Sequence, residues 1–112
     1  TSPFYSDHLI FTPLDANLDV DGLPQSGTGQ ATLFSRPNAA KIIRKHFGPF
    51  PPSGNKTLLQ EQSLFQQLQK MNKRPFFVNA FPKPFFERAE RTNRWSSCTF
   101  MTRSAGIKLN TE

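Results

Sequence analysis

The clearest hydrophobic pattern of the chain lies between Leu58 and Asn72. Thr57, followed three residues later by Gln60, makes a capping box at the start of this segment. At about 100° per residue the apolar positions fall within an arc of about 140°, which predicts an amphipathic helix. Because a helix of this length is marginal alone, we expect it to dock on another surface. The predicted docking face consists of Leu58, Leu64, Phe65, Leu68 and Met71.

Two shorter helices are predicted on either side. The first runs from about Arg36 to Phe47, with Ser35 as its cap and Gly48-Pro49 as its stop. The other starts at Pro84 and ends near Trp95. Proline and glycine interrupt the segments before and between these helices, which are therefore expected to be extended. An apolar stretch at residues 9–11 is predicted to be either a strand added to a partner or a hydrophobic peg.

The predicted fold is a mostly irregular, extended chain with two or three short α-helices. It has no independent sheet, and partner subunits impose its shape. Its segments are 1–35, an extended acidic arm; 36–54, a short helix plus a Pro-rich link; 55–73, the amphipathic helix; 74–95, a Pro-Phe anchor segment plus a short helix; and 96–112, an irregular tail.

Composition supports this prediction. Only 36% of the 112 residues are apolar, and ten prolines each remove a backbone donor. Two Val and four Ile are too few to build much of a sheet. Twelve Phe, however, are too many for a disordered chain, and burying each ring stabilises by about 1.5–3 kcal/mol. We therefore expect another protein to cover these rings.

A repeated unit of cation, proline and two rings is the most distinctive motif. Arg74-Pro75-Phe76-Phe77 recurs nine residues later as Lys83-Pro84-Phe85-Phe86. Aromatic residues and arginine are the usual hot spots of interfaces, so the units are predicted to anchor a partner. The alternative is that the four rings form a small core against the amphipathic helix. The predicted partner-binding residues are Phe4, Phe50, Arg74, Phe76, Phe77, Lys83, Phe85, Phe86, Arg91, Arg94 and Trp95.

Charge is distributed unevenly along the chain. Four Asp and no Lys or Arg precede Arg36, whereas fourteen basic and four acidic residues follow from that position. Such a basic surface suits an acidic protein such as tubulin, RNA or an anionic membrane; a basic surface with no special target is the alternative. Arginines near Trp95 and Phe100 favour RNA, but no signature of an RNA-recognition module accompanies them.

Groups for catalysis or metal binding are sparse. The chain has one cysteine, Cys98, and two histidines, His8 and His46, without metal-ligand spacing. Residues 17–22 resemble the opening of an EF-hand loop, but Thr28 replaces the closing Glu, which favours a solvated acidic turn. The glycosylation sequon Asn55-Lys56-Thr57 is better explained by the cap. We predict no enzyme activity, cofactor, metal, small-molecule substrate or membrane span.

These expectations converge on a non-catalytic structural subunit that staples or spaces proteins in a large assembly. In composition the chain resembles the small proteins that line ciliary doublet microtubules, which are short, proline-broken, aromatic and basic. The resemblance implies a microtubule inner protein of the axoneme that contacts tubulin. The alternatives are an accessory subunit of an organellar complex (a mitochondrial respiratory complex, ATP synthase or ribosome) and a basic RNA-binding or adaptor protein.

Overall fold

The computed structural model describes residues 2–112, and these form a compact helical domain rather than a mostly irregular chain. Helices take up 44% of the chain. The six helices of the described part are α1 (Ser26–Ser35), α2 (Ala39–Ile43), α3 (Ser53–Glu61), α4 (Leu64–Lys70), α5 (Lys83–Thr92) and α6 (Ser97–Ser104). Its four strands are β1 (Phe4–Tyr5), β2 (Ile10–Phe11), β3 (Ala80–Phe81) and β4 (Asn110–Thr111). The prediction of a chain shaped by its partners is therefore wrong.

Small side chains explain why the domain folds with so few Leu, Ile and Val residues. Helices α1, α2, α3 and α6 pack against one another. Ala31 and Ala39 are completely buried in the core between them, beside Leu59. A Cβ atom on Gly27 would overlap the carbonyl oxygens of Phe47 and Phe50, so this position accepts only glycine. Close backbone approach thus replaces large apolar side chains as the source of packing contacts.

The buried hydroxyl groups of α1 and α6 are hydrogen-bonded. Ser97 Oγ donates to the carbonyl oxygen of Gly27 at 3.0 Å, which ties α6 directly to α1. Within the helices, Ser35 Oγ donates to Ala31 at 2.6 Å and Thr102 Oγ1 donates to Cys98 at 2.8 Å. Because a buried hydroxyl is costly only when it lacks a partner, these residues can fill a core.

The predicted amphipathic helix is two helices. Residues 62 and 63 separate α3 from α4, and buried Ser63 caps α4 by accepting a hydrogen bond from the Gln66 amide at 3.3 Å. Thr57 lies inside α3 and caps nothing, because α3 begins at Ser53. The predicted helix at 36–47 shrinks to α2, which Asn38 caps and which ends where Arg44 adopts a left-handed conformation.

A second core, made mainly of aromatic rings, joins the segment that contains β3 and α5 to the segment that ends in β4. Strands β3 and β4 pair in parallel, with Ala80 opposite Asn110 and Phe81 opposite Thr111. Asn110 Nδ2 also donates to the carbonyl oxygen of Phe77 at 2.6 Å. The segment 96–112, predicted to be an irregular tail, therefore contains helix α6 and a strand. The core consists of Ala89, Trp95 and Leu109, with Phe77, Phe81, Phe85, Phe86 and Phe100 packed against them.

The described residues before α1 form the arm, defined as residues 2–25. Strands β1 and β2 make an antiparallel hairpin, so the apolar stretch at 9–11 pairs within the chain itself. At the base of the arm, Asn38 Nδ2 donates to Leu18 O at 2.6 Å, and His46 Nε2 lies 3.0 Å from Val20 O. The radius of gyration is 15.7 Å, against roughly 13 Å for a compact chain of this length, as expected if the hairpin stands away from the helices.

The two small sheets also correct the prediction that the chain has no sheet of its own. Each contains only two strands of two residues. Over residues 2–112, no helix combines the length and the apolar character that crossing a membrane requires.

Candidate partner-binding groove

Two adjoining hollows form the most distinctive concave surface of the helical domain. The first, of about 480 Å³, lies between the proline-rich link 47–53 and the residues that precede and begin α6. The second, of about 370 Å³, is lined by α5 and shares Phe50 and Arg94 with the first. We call the two together the aromatic-basic groove. Its principal side chains are Phe50, Lys56, Phe85, Arg88, Arg94, Trp95 and Phe100.

Local backbone structure explains how these side chains come together. Prolines 49, 51 and 52 restrict the backbone of the link, and Pro51 is buried, so the link forms a fixed wall. On the opposite side, Asn93 adopts a left-handed conformation that ends α5. The amide of Arg94 then bonds back to Ala89 at 3.2 Å. This turn places Arg94 and Trp95 at the groove rather than in a continuing helix.

Three rings of the groove, those of Phe50, Trp95 and Phe100, each lie near a cation. The guanidinium carbon of Arg103 lies 3.7 Å from the centroid of the Trp95 ring. Lys56 Nζ lies 5.6 Å from the Phe100 ring, and the Arg94 guanidinium carbon lies 6.0 Å from the Phe50 ring. Cations at such distances are attracted to the ring faces while their charged ends stay accessible to a ligand.

The electrostatic character of the groove is uniformly positive. Its two hollows are lined by Lys56, Arg88 and Arg94, and none of their described lining residues is acidic. Apolar rings and prolines supply the rest of the walls. A ligand that combines carboxylates with apolar side chains matches both features. A cationic ligand does not match the charge, and a wholly polar ligand does not match the apolar walls.

The predicted partner-binding residues separate into an exposed and a packed group. Arg74, Lys83, Arg91 and Arg94 are exposed, as are the rings of Phe4 and Phe76. Phe50, Phe77, Phe85 and Phe86 are half-buried, and Trp95 is buried with only 6% of its surface exposed. Phe81 stacks on Phe85 with a centroid distance of 4.2 Å. Three of the four rings in the repeated motif therefore pack inside the protein, and Phe76 points outward.

The predicted docking face also splits. Leu58 and Phe65 belong to the helical core, and Leu68 is half-buried. Leu64 and Met71 remain exposed, with 52% and 65% of their surfaces accessible. The division does not coincide with the break at Ser63, because Phe65 lies after the break and still belongs to the same core as Leu58.

The whole chain matches no family model, no curated protein and no solved structure. Its function is therefore proposed from the groove and the arm.

Sequence reasoning missed two contributors to this region, Lys56 and Phe81. Lys56 is the middle residue of the sequon Asn55-Lys56-Thr57, and the sequence analysis assigned it no role of its own. Phe81 precedes a proline, whereas the rings of the repeated motif follow one. A search for any ring adjacent to proline would have found Phe81.

The remaining chemical candidates have structural roles. The Asp15 carboxylate accepts hydrogen bonds from the amides of Asn17 at 2.9 Å and Asp19 at 2.7 Å. The EF-hand-like stretch is therefore a turn that the Asp15 side chain stabilises. Among residues 2–112, no group of three or more His, Cys, Asp or Glu side chains is placed to hold a metal ion. Cys98 is half-buried, with its sulfur 3.2 Å from Ser96 Oγ.

An ion pair links the arm to α2. Lys41 Nζ donates to the Asp19 carboxylate at 2.7 Å, and both side chains are exposed. This hydrogen bond, reinforced by the charge of Lys41, lowers the pKa of Asp19 below its ordinary value of 3.8. The same contact raises the pKa of Lys41 above 10.5. The base of the arm is thus held by a charged contact as well as by backbone carbonyls.

Proposed function

We propose that this protein is a non-catalytic structural subunit that binds an acidic, partly apolar segment of a partner protein in the aromatic-basic groove. The observation that carries the proposal is the lining of the groove, where three cations stand among rings and prolines and no acid among the described lining residues offsets them. Aromatic and arginine side chains are the groups that most often dominate binding at protein interfaces.

The charge of the domain supports an acidic partner. From Arg36 onward, basic residues outnumber acidic residues by ten. A surplus of this size raises the association rate with an acidic surface and makes it dependent on salt. Arg88, Arg91 and Arg94 add exposed charge on and just after α5, beside the groove.

Tubulin is the acidic partner that we propose to test first. The composition resembles that of the proteins that line ciliary doublet microtubules, so the proposed location is the axoneme. In this proposal the protein attaches through one defined groove and does not take its shape from its partners. An accessory subunit of a mitochondrial or other organellar complex, or an adaptor, is the alternative within the same functional class.

RNA is the second candidate, because cations beside aromatic rings also suit phosphates and bases. The geometry of Trp95 weighs against it. Arg103 covers one ring face at 3.7 Å, and the edge-on Phe85 ring lies 6.1 Å away, so the indole has little open face on which a base could stack. A groove of side-chain pockets fits a peptide better than a stacking platform for single-stranded RNA.

A direct binding experiment separates these candidates. Fluorescence anisotropy would compare three labelled probes of equal length: a peptide of alternating Glu and Phe, a peptide of alternating Lys and Phe, and oligouridine. We expect binding of the Glu-Phe peptide to weaken by about tenfold or more in the variant Lys56→Glu/Arg94→Glu, because both groove cations are reversed.

The matched control is Lys70→Glu/Lys73→Glu. It changes the net charge by the same amount, and neither residue lines the groove. Equal loss in both variants would reduce the interaction to bulk charge and overturn the groove proposal. Preference for oligouridine would favour the RNA candidate. Co-sedimentation of the wild-type protein and both variants with purified microtubules then tests tubulin itself.

A further inference from the structure

We propose that the groove of one copy receives the arm of a second copy, so that the protein assembles head to tail. The inference rests on the proposed function, because it names an occupant for the same groove. The arm and the groove are chemically complementary: one carries exposed apolar side chains beside carboxylates, and the other carries apolar walls beside cations. Both surfaces lie on the same chain.

The hairpin at the tip of the arm has the features of a segment that another surface covers. Its cross-strand pairs, Phe4 with Phe11 and Tyr5 with Ile10, leave all four side chains more than half exposed. A hairpin of two short strands is at best marginally stable without a further surface. Asp7, in the connection between the strands, puts a carboxylate beside these apolar residues.

The rest of the chain leaves the hairpin uncovered. The hydrogen bonds of residues 2–14 join residues within that segment. The base of the arm, in contrast, is attached to the domain through Asp19 and Lys41 and through the carbonyl oxygens of Leu18 and Val20. The structure thus has a fixed base and a projecting apolar tip, the arrangement required for reaching a neighbouring molecule.

Charge selects the groove as the surface that the tip contacts. Four Asp and no cation occur in residues 1–35, whereas the groove presents Lys56, Arg88 and Arg94. The aromatic pair of the hairpin would occupy the apolar part of the groove, and Asp7 would approach its cations. An acidic tip that meets an acid-free groove gains attraction both during approach and in the bound state.

Such a contact uses different surfaces on the two molecules. It leaves one arm and one groove unoccupied in every dimer, so association continues until a ring closes or a filament forms. A structural subunit with this property would form an assembly with a fixed repeat. The spacing of the copies would follow from the chain itself.

The experiment uses two full-length variants. The arm variant, Phe4→Ser/Asp7→Asn/Phe11→Ser, keeps the groove; the groove variant, Lys56→Glu/Arg94→Glu, keeps the arm. Sedimentation velocity and light scattering would measure mass against concentration for each variant, for the wild type and for an equimolar mixture. Circular dichroism verifies that both variants retain the helical signal. Leu33→Ser, at an exposed site on α1, is the control for apolar loss.

We expect the wild type to gain mass with concentration and to lose that gain at high salt. Each variant alone should self-associate about tenfold or more weakly, because each retains only one partner surface. The mixture should form a heterodimer and stop there, since the remaining arm and groove are the mutated ones. Leu33→Ser should behave as the wild type does.

Three results would overturn the inference: a wild type that stays monomeric at every concentration, a mixture that forms no heterodimer, or a groove variant that assembles normally by itself. Binding of the Glu-Phe peptide keeps this test separate from that of the proposed function. If the peptide binds the groove while the wild type stays monomeric, the partner-binding groove stands and the second copy is excluded. If neither occurs, both proposals fall.

Discussion

The arm and the helical domain contain the same kind of aromatic residue in opposite environments. In the arm, Phe4 and Phe11 lie opposite each other across the hairpin, and each leaves 55% of its surface exposed. In the domain, Phe81 and Phe85 stack at 4.2 Å, and Trp95 closes the cluster at 6.1 Å from Phe85. The difference lies in the surroundings. Helix α5 and the β3–β4 pair bring rings together from distant positions, whereas two strands of two residues can offer a ring only one neighbour.

This contrast teaches that aromatic content alone does not decide whether a chain needs a partner. The rings of the domain are largely covered from within. The apolar side chains of the hairpin, in contrast, remain more than half exposed. The need for a partner is therefore localised in the arm, and the following predictions test that localisation.

The largest expected difference in the free energy of unfolding is between substitutions of two leucines. Leu59 is completely buried between α1, α3 and α6, and Leu59→Ala should lower the free energy of unfolding by about 2–5 kcal/mol, because it opens a cavity in the core. Leu14 in the arm is 84% exposed, and Leu14→Ala should change that free energy by less than about 0.5 kcal/mol. Urea unfolding monitored by circular dichroism measures both. Equal effects would mean that the arm belongs to the folding unit.

A pair of glycines in α1 gives the next largest contrast. Gly27→Ala should destabilise by about 3 kcal/mol, at the upper end for overpacking, because its Cβ would overlap backbone oxygens of the link. Gly29→Ala has open space around its Cβ and should stabilise by about 0.5–1 kcal/mol through helix propensity. Thermal unfolding of the two variants checks the signs. A neutral Gly27→Ala would show that the link is not held against α1.

A smaller difference in stability is expected between substitutions of two phenylalanines, one in the domain and one in the arm. Phe85→Ala should cost about 2 kcal/mol, less than a fully buried ring, because Phe85 is half-buried. Phe11→Ala should leave monomer stability within about 0.5 kcal/mol of the wild type and weaken self-association instead. Urea unfolding at low protein concentration separates the two quantities. A large stability loss from Phe11→Ala would place its ring in an internal core.

The smallest expected effect is a pH dependence at the base of the arm. Because the pKa of Asp19 is lowered in the folded protein, its contact with Lys41 stabilises at pH values above 3.8 and is lost as the pH falls through the lowered value. The raised pKa of Lys41 means that the contact persists above 10.5 before it fails. Protection of the amides of residues 18–20 against hydrogen exchange, corrected for the intrinsic exchange rate at each pH, should therefore fall in acid, and Asp19→Asn should reduce that dependence.

Some of the fold was predictable because its signals are strong and local. The helix predicted to begin at Pro84 is α5, which starts at Lys83 and ends at Thr92. Amphipathic periodicity located the region of α3 and α4 correctly but could not detect the break at Ser63. A buried serine that caps a new helix looks like any other polar position until its surroundings are known.

Helices α1 and α6 could not be predicted, because their buried faces consist largely of small and polar residues that are usually associated with turns. Gly27, Thr28, Ala31 and Ser35 lie on one face of α1, a spacing that fits a helix, but their small size and polarity conceal the stripe. The groove was partly predictable: Phe50, Arg94 and Trp95 were among the candidates. Lys56 and the pairing of rings with cations depend on long-range contacts that local patterns do not contain.

The burial of Asn55 gives the sequon a meaning of its own. The side chain is wholly enclosed, with Nδ2 donating to Ala39 O at 3.2 Å and with Oδ1 lacking a hydrogen-bond partner among the described residues. An oligosaccharide cannot reach this nitrogen once α2 and α3 have packed. In a secretory host, sugar attachment would therefore compete with folding. The fraction of glycosylated chains would report how long Asn55 stays accessible before the core closes.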